Sequence, residues 1–122
     1  MAYEVKIIDS SKELTARDRI KFKDVSSTQS LDRVVGTDDT LVIKPVNYVV
    51  LAVHNDKSDN KDHTKYIIED ENGVLYSTGS ESFFESFMNI HTEMNGEDYN
   101  LVVYKRESKN YSGKHFLSCT IE

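Results

Sequence analysis

The sequence is poor in the residues that define several common protein classes. It has no tryptophan, one proline and one cysteine, Cys119, among 122 residues. A single cysteine excludes an intramolecular disulfide framework and a zinc site built from cysteines. The longest apolar run, Tyr48–Val53, is too short to cross a bilayer, and Met1–Ser10 lacks the apolar stretch of a signal peptide. We therefore expect a soluble cytoplasmic protein with no membrane association.

Positive charge is scarce as well. The chain has 15 Lys and Arg residues against 21 Asp and Glu residues, a formal net charge of −6. Most of the negative charge lies in Asp56–Asp98, whereas Tyr99–Lys114 has four basic residues against Glu107 alone. Because the chain is not coated in positive charge, any nucleic-acid binding has to come from a local basic patch.

Residues with catalytic or metal-binding spacing are also missing. The four histidines have no H-x-x-x-H spacing, and the aspartates within 56–62 lack the glycine and final glutamate of an EF-hand loop. Cys119 alternates with Leu117 and Ile121, which predicts a buried structural thiol rather than a nucleophile. We therefore expect no enzymatic activity, no metal and no cofactor.

Alternating patterns predict β-strands in the first half of the chain. Arg17–Val25 alternates basic and apolar residues, which predicts a strand with one basic face. Ser26–Asp39 is polar with little period, which predicts a long connection or a ragged edge. The short apolar piece 41–43 leads into Pro45, which favours a strand start. The strongest strand is Val46–His54, whose centre is apolar on both faces and must be covered on both sides or curl through a barrel.

The second half contains a hairpin and two further strands. Asn72-Gly73 predicts a tight turn between Tyr66–Ile68 and Val74–Tyr76, because such a turn needs positive φ. Tyr99–Arg106 and His115–Ile121 follow as a second strand pair, joined by a polar loop.

A helix is predicted between the two strand pairs, at Glu81–Met94. Ser80 is its expected N-cap and Gly96 its expected stop. Apolar residues recur at helical spacing along one side, which predicts an amphipathic helix packed on a sheet. The residues of this stripe are Phe83, Phe87, Ile90 and Met94.

The order of these elements indicates a mainly β fold. Three strands, one helix and two strands match the five-stranded Greek-key barrel that binds oligonucleotides and oligosaccharides, the OB-fold, with its helix between strands 3 and 4. We predict one OB-like domain over residues 1–122, with residues 1–40 as an N-terminal arm or edge strand packed on it.

Three segments resemble a known family. They are 78–88 (TGSESFFESFM), 108–119 (SKNYSGKHFLSC) and 54–62 (HNDKSDNKD). They look like the single-stranded DNA-binding proteins of tailed bacteriophages of Gram-positive hosts. The resemblance implies an OB-like barrel that coats single-stranded DNA during phage DNA replication or recombination in the host cytoplasm. It also implies replication or recombination proteins as partners. A small site on each chain favours a homo-oligomer, a dimer, because several grooves on one strand raise avidity.

Two loops border the expected groove: the one after the first strand of the barrel and the one between its last two strands. Here they are Asn55–His63 and Glu107–Lys114. Positive side chains can follow phosphates, and an exposed tyrosine gives a base a surface for stacking. The alternative is an ordinary hairpin loop with solvated lysines. The candidates in and beside the second loop are Lys105, Arg106, Lys109, Tyr111 and Lys114.

The strands supply further candidates through their period of two. Tyr104 shares a face with Arg106, and Phe116 points away from the side that Leu117 and Cys119 share. Phe116 is therefore a candidate for base stacking, with packing under a helix as the alternative. Three more residues are candidates for lining the groove. For the two tyrosines among them, burial in the core is the alternative. These are Lys44, Tyr48 and Tyr66.

The function that these features predict is binding of single-stranded DNA without sequence preference, by phosphate contacts from Lys and Arg and by base stacking on Tyr and Phe. The acidic middle, Asp56–Asp98, motivates an alternative: a protein–protein interaction module that mimics nucleic acid and acts on a host factor. A small enzyme is the weakest alternative, because no catalytic site is apparent.

Overall fold

A computed structural model describes residues 3–24, 27–36, 39–56, 62–107 and 115–122. Within these ranges the chain forms eight strands and three helices. In chain order they are β1 (Tyr3–Ser10), α1 (Ala16–Lys23), β2 (Gln29–Ser30), α2 (Leu31–Val34), β3 (Thr40–Ile43), β4 (Pro45–Asn55), β5 (Asp62–Asp70), β6 (Leu75–Thr78), α3 (Glu81–Met94), β7 (Leu101–Glu107) and β8 (His115–Ile121).

The strands form two open sheets. One has five strands in the order β1-β4-β5-β6-β2, and the other has three in the order β3-β7-β8. Every pairing is antiparallel except that of β2 with β6. The prediction of a mainly β protein is confirmed. In the described ranges the sheets do not close into a barrel, because β6 pairs with the short β2 on the side where closure would need β8.

A single bent strand links the two sheets. Only Lys44 separates β3 from β4. Before the bend, Val42 pairs with Val102 of β7, and after it Val49 pairs with Ile67 of β5. Pro45 begins β4, as expected for a residue without an N–H group. The bend therefore sets the position of the three-stranded sheet relative to the five-stranded one.

Strand β4 is covered on both faces, as its apolar sequence predicts. Tyr48 and Val50 lie in the larger core cluster, between the two sheets and α3. Val49, Leu51 and Val53 lie in a second cluster on the opposite face. We call these the inner core and the second core. The inner core also takes residues from α2, α3, β7 and β8, among them Leu31, Val35, Phe83, Phe87, Leu101, Val103, Leu117 and Cys119.

The predicted strand Arg17–Val25 is wrong, because the chain forms helix α1 there. Thr15 begins the helix with a capping box: its hydroxyl accepts from the Asp18 N–H and its own N–H donates to the Asp18 carboxylate, each at 3.1 Å. In a strand, Ile20 and Phe22 would share a face. In the helix they lie about 200° apart, so Phe22 is buried in the second core while Ile20 is 73% exposed.

The local signals elsewhere are confirmed. Ser80 caps α3 by accepting a hydrogen bond from the Phe83 N–H at 3.2 Å. The C-cap is Asn95, and Gly96 follows it as the predicted stop; both have positive φ. Gly73 has φ +81° in the predicted turn, where the Asp70 carboxylate accepts two backbone hydrogen bonds.

Non-local elements differ more from the sequence-based expectation. The segment Ser26–Asp39, predicted as a long connection or a ragged edge, contains the short edge strand β2 and helix α2, whose Leu31 is completely buried. Within residues 1–40, predicted as an arm or edge strand, β1 pairs along β4 at one edge of the five-stranded sheet, and the sequence did not specify this partner. Ile121, expected in the core with Leu117 and Cys119, is exposed near the end of β8. Among the described helices, none is long and apolar enough to span a membrane.

Candidate nucleic-acid interface

The three-stranded sheet has one face that points away from the inner core, which we call the outer face. Alternation along three strands in register brings its side chains together, and all are exposed or half-buried. Two large apolar side chains stand out, since Val42 is 49% and Phe116 40% exposed. The outer face consists of Thr40, Val42, Val102, Tyr104, Arg106, Phe116, Ser118 and Thr120.

Three of the predicted site residues meet on the outer face. Arg106 lies opposite Phe116 in the pairing of β7 with β8, and its guanidinium carbon is 5.7 Å from the centre of the phenyl ring. This distance is within the range of a cation–π contact. Tyr104 is two residues along β7, between Thr40 and Ser118. Two period-two predictions are confirmed: Tyr104 shares a face with Arg106, and Phe116 points away from Leu117 and Cys119. The register of β7 with β8 then places all three on the same side.

The charge of the outer face contrasts with that of the chain. The chain has a formal net charge of −6, yet the eight residues of this face include one cation and no carboxylate. A polyanion that approaches this face therefore meets an aromatic and hydroxyl-rich surface without direct repulsion from it. Such a surface can stack planar groups on Tyr104 and Phe116 and can hydrogen-bond through its hydroxyl groups.

Two other candidates, Tyr48 and Tyr66, are not on the outer face. Tyr48 is buried in the inner core, and its ring makes edge contacts with Phe84 at 5.7 Å and Phe87 at 6.0 Å between centroids. Tyr66 is half-buried and stacks on Phe84 at 4.3 Å. Burial is the main reason that the pKa of each phenol is raised. The structure thus favours the core alternative for both tyrosines.

Two further candidates, Lys44 and Lys105, are lysines whose side chains lie off the outer face. Lys44, at the bend, forms an ion pair with Asp98 at 3.5 Å. Lys105 points away from the outer face, and its Nζ donates to the backbone carbonyl of Asp32 at 2.8 Å. Three further candidates fall outside the described residues. They are Lys109, Tyr111 and Lys114.

Cys119 is buried, as the sequence predicts. Its Sγ lies 3.9 Å from the carbonyl oxygen of Phe83 in α3. Burial raises the pKa of the thiol to about 11. The thiol therefore stays protonated near neutral pH, and packing in the inner core accounts for the residue.

Sequence reasoning missed a pocket on the five-stranded sheet, beside His54. The pocket has a volume of about 520 Å³ and is lined by β1, β4 and β5. His54 lies within it, with Nδ1 2.7 Å from Asp62 and Nε2 2.6 Å from Asp56. The aspartates were expected to be solvated, and only the register of His54 with Asp62 reveals the cluster. Among the described residues, no group of His, Cys, Asp and Glu has an arrangement suited to a metal.

The His54 cluster predicts a measurable pKa change. Hydrogen bonds to Asp62 first, and then to Asp56, raise the pKa of His54 above its ordinary value of 6.5. A raised folded-state pKa means that this histidine adds stability below pH 6.5, and the contribution is lost as the pH rises through the folded-state value. In an NMR titration, Asp62→Asn should lower the pKa of His54 more than Asp56→Asn does. A wild-type pKa at or below 6.5 would contradict the bridged geometry.

Comparison with protein-family models, with curated proteins and with solved structures found no match for this chain.

Proposed function

We propose that the protein binds single-stranded DNA, without sequence preference and without catalysis, on the outer face of the three-stranded sheet. The observation that carries the proposal is the cluster of exposed Tyr104, Arg106 and Phe116 on a face without carboxylates. Base stacking on aromatic side chains tolerates any sequence, because every base has a flat face. The resemblance to phage single-strand binders supports the same ligand and suggests a role in phage DNA replication or recombination.

We also propose that the two sheets are parts of an OB-like barrel. Strands β4, β5 and β6 form an antiparallel meander, α3 follows β6, and the β7–β8 hairpin returns to pair with β3 of the bent strand. This connectivity supports the proposal, since the OB-fold is a partly open Greek-key barrel. Here the opening would lie between β6 and β8, beside β2 and α2.

The physical basis of binding combines two terms. Stacking of a base on an aromatic ring contributes about 1–3 kcal/mol. Contacts of Arg106 with phosphates release counterions and make binding depend on salt. Because the net charge of −6 opposes DNA outside this face, we expect modest affinity at physiological salt. A homodimer that places two outer faces on one strand would raise the avidity, and it would present the strand to replication or recombination proteins.

The test is a fluorescence-anisotropy titration with a labelled 30-nucleotide oligo-dT, at low and at physiological salt, beside duplex of the same length. We expect salt-sensitive binding to the single strand and little binding to duplex. Phe116→Ala should weaken binding roughly 5- to 150-fold, the equivalent of one stacked base. Arg106→Gln should weaken binding and reduce its salt dependence by roughly one phosphate contact.

Matched controls separate the outer face from general surface effects. Ile8→Ala removes another exposed apolar side chain, and Arg33→Gln removes another exposed cation. Both should bind like the wild type. Absence of wild-type binding at low salt would refute the proposal, and so would equal losses in the controls and in the variants of the outer face.

The alternative of a protein–protein interaction module has one supporting observation. The solvent side of α3 carries Glu81, Glu85 and Glu93, and the helix contains no Lys or Arg. A negative helix of this kind fits a basic partner surface. This function would become the better proposal if the protein failed to bind oligonucleotides at low salt.

A further inference from the structure

Helix α1 concentrates positive charge on an acidic protein. Its eight residues, ARDRIKFK, include four cations and one acid. The acid, Asp18, already accepts the Thr15 N–H in the capping box. Phe22 is the only buried residue of the helix. The helix is therefore anchored to the second core by Phe22 alone, and its four cations are exposed to solvent. These cations are Arg17, Arg19, Lys21 and Lys23.

Most of this charge is not neutralised within the fold. Lys21 forms an ion pair with Glu69 at 2.7 Å. Arg19 donates from Nη1 to the carbonyl of Leu14 at 2.8 Å, and this neutral acceptor leaves its charge in place. Arg17 and Lys23 form no ion pair with any residue in the described ranges. Arg17, Arg19 and Lys23 thus lie outside any ion pair in the described ranges, and Asp18, which interacts with Arg19, offsets only one of these three charges.

Helix stability explains only part of the pattern. Cations in the last turn, Lys21 and Lys23, interact favourably with the helix dipole. Arg17 lies in the first turn and Arg19 directly after it, where the dipole disfavours positive charge. A requirement for helix formation therefore accounts for the lysines and not for the arginines.

The position of α1 relates it to the outer face. Phe22 packs against the side of β4 that points away from the inner core, and the outer face is the corresponding side of β3. Lys21 contacts Glu69, which lies opposite Asn47 of the bent strand. From Asn47 to Thr40, which pairs with Tyr104, the strand extends at most roughly 23 Å, which is the length of about seven stacked nucleotides.

We propose that α1 is a second contact for the phosphate backbone of the single strand bound on the outer face, with Arg17, Arg19 and Lys23 as its cations. The inference rests on the proposed function and extends it, because it defines a path from the aromatic face across the bend to the helix. Charge complementarity identifies the occupant as a polyanion. A strand long enough to reach α1 should gain affinity that a shorter one lacks.

The experiment compares oligo-dT of 6 and 20 nucleotides by anisotropy over a range of salt concentrations. For the variant Arg17→Gln/Lys23→Gln we expect the affinity for the 20-mer to fall about tenfold or more at low salt, while that for the 6-mer stays unchanged. The salt slope for the 20-mer should fall by roughly 1.4, which is 0.7 for each lost phosphate contact. Arg19 is left intact because it also bonds to Leu14.

Two control variants accompany this measurement. Lys6→Gln/Arg33→Gln removes the same charge from other exposed positions and should bind both oligonucleotides like the wild type. Arg17→Lys/Lys23→Arg keeps the charge and should retain the preference for the 20-mer. Thermal unfolding checks that α1 still packs in each protein.

The outcomes separate this inference from the proposed function. If the wild type binds neither oligonucleotide, both proposals fail. If it binds and Phe116→Ala weakens binding, while Arg17→Gln/Lys23→Gln matches its charge control, only the role of α1 is refuted. Equal losses for the 6-mer and the 20-mer would also refute a separate contact. If Arg17→Gln/Lys23→Gln lost binding to anionic vesicles that the wild type binds, while its oligonucleotide binding stayed intact, α1 would be assigned to a membrane surface instead.

Discussion

Replacing Phe87 by alanine is expected to lower the free energy of unfolding by about 3–5 kcal/mol. Phe87 is completely buried in the middle of α3. Its ring contacts Tyr48, Phe84 and His91, so it fills the space between the helix and β4. Removing it leaves a cavity that these neighbours can close only in part. Equilibrium unfolding in urea measures the loss.

Asn89→Ala is the matched control on the same helix, since Asn89 is exposed. Its effect should stay within about 0.5 kcal/mol. A loss below roughly 1 kcal/mol for Phe87→Ala would contradict the packing of α3 in the inner core, because full burial of a phenylalanine requires a larger penalty.

Replacing Phe22 by alanine should have a comparable effect, about 3–5 kcal/mol. Phe22 is the only side chain by which α1 enters the second core, where it joins Val49, Leu51 and Ile67. Its loss uncovers one face of β4 and removes the anchor of the helix. We expect an earlier urea midpoint together with faster proteolysis within residues 15–24.

Ile20→Ala provides a sharp comparison. Ile20 is 73% exposed on α1, so its truncation should change stability by no more than about 0.5 kcal/mol. If residues 17–25 formed a strand, Ile20 and Phe22 would lie on the same face and their substitutions would have similar costs. Similar losses for the two variants would therefore contradict the helical assignment.

The elements that sequence predicts well are those with long or chemically strict local patterns. Helix α3 has the predicted bounds, because its apolar stripe runs for four turns behind a serine cap. The turn at Gly73 needs positive φ, which few residues supply. Strand β4 is apolar on both faces over six residues, and only coverage from two sides satisfies that pattern.

Sequence reasoning fails where the pattern is short or the partner is distant. Alternation over Arg19–Lys23 covers too few residues to separate a strand from a helix, and the capping box of Thr15 with Asp18 was the decisive signal. The pairing of β1 with β4 and of β2 with β6 joins residues at least 39 positions apart. No local propensity specifies such partners.

The same distinction applies to the candidate interface. Alternation along each strand of one hairpin was enough to predict that Tyr104 and Arg106 share a face and that Phe116 points away from the core. Only the register of β7 with β8 shows that these faces coincide. The surroundings of Tyr48 and Tyr66 depend instead on α3, whose Phe84 contacts both rings. Where a helix packs on a sheet is a tertiary property, so alternation alone left the choice between groove and core open for these two tyrosines.

The bent strand also has a consequence for synthesis on the ribosome. Val42 of β3 pairs with Val102, which is translated 60 residues later. At about 5–20 residues per second, the nascent chain waits roughly 3 to 12 seconds for this partner. During that interval an apolar strand edge stays unpaired, and such edges promote misassembly with neighbouring chains. The feature that joins the two sheets in the finished protein is therefore the one that most needs protection while the chain is being made.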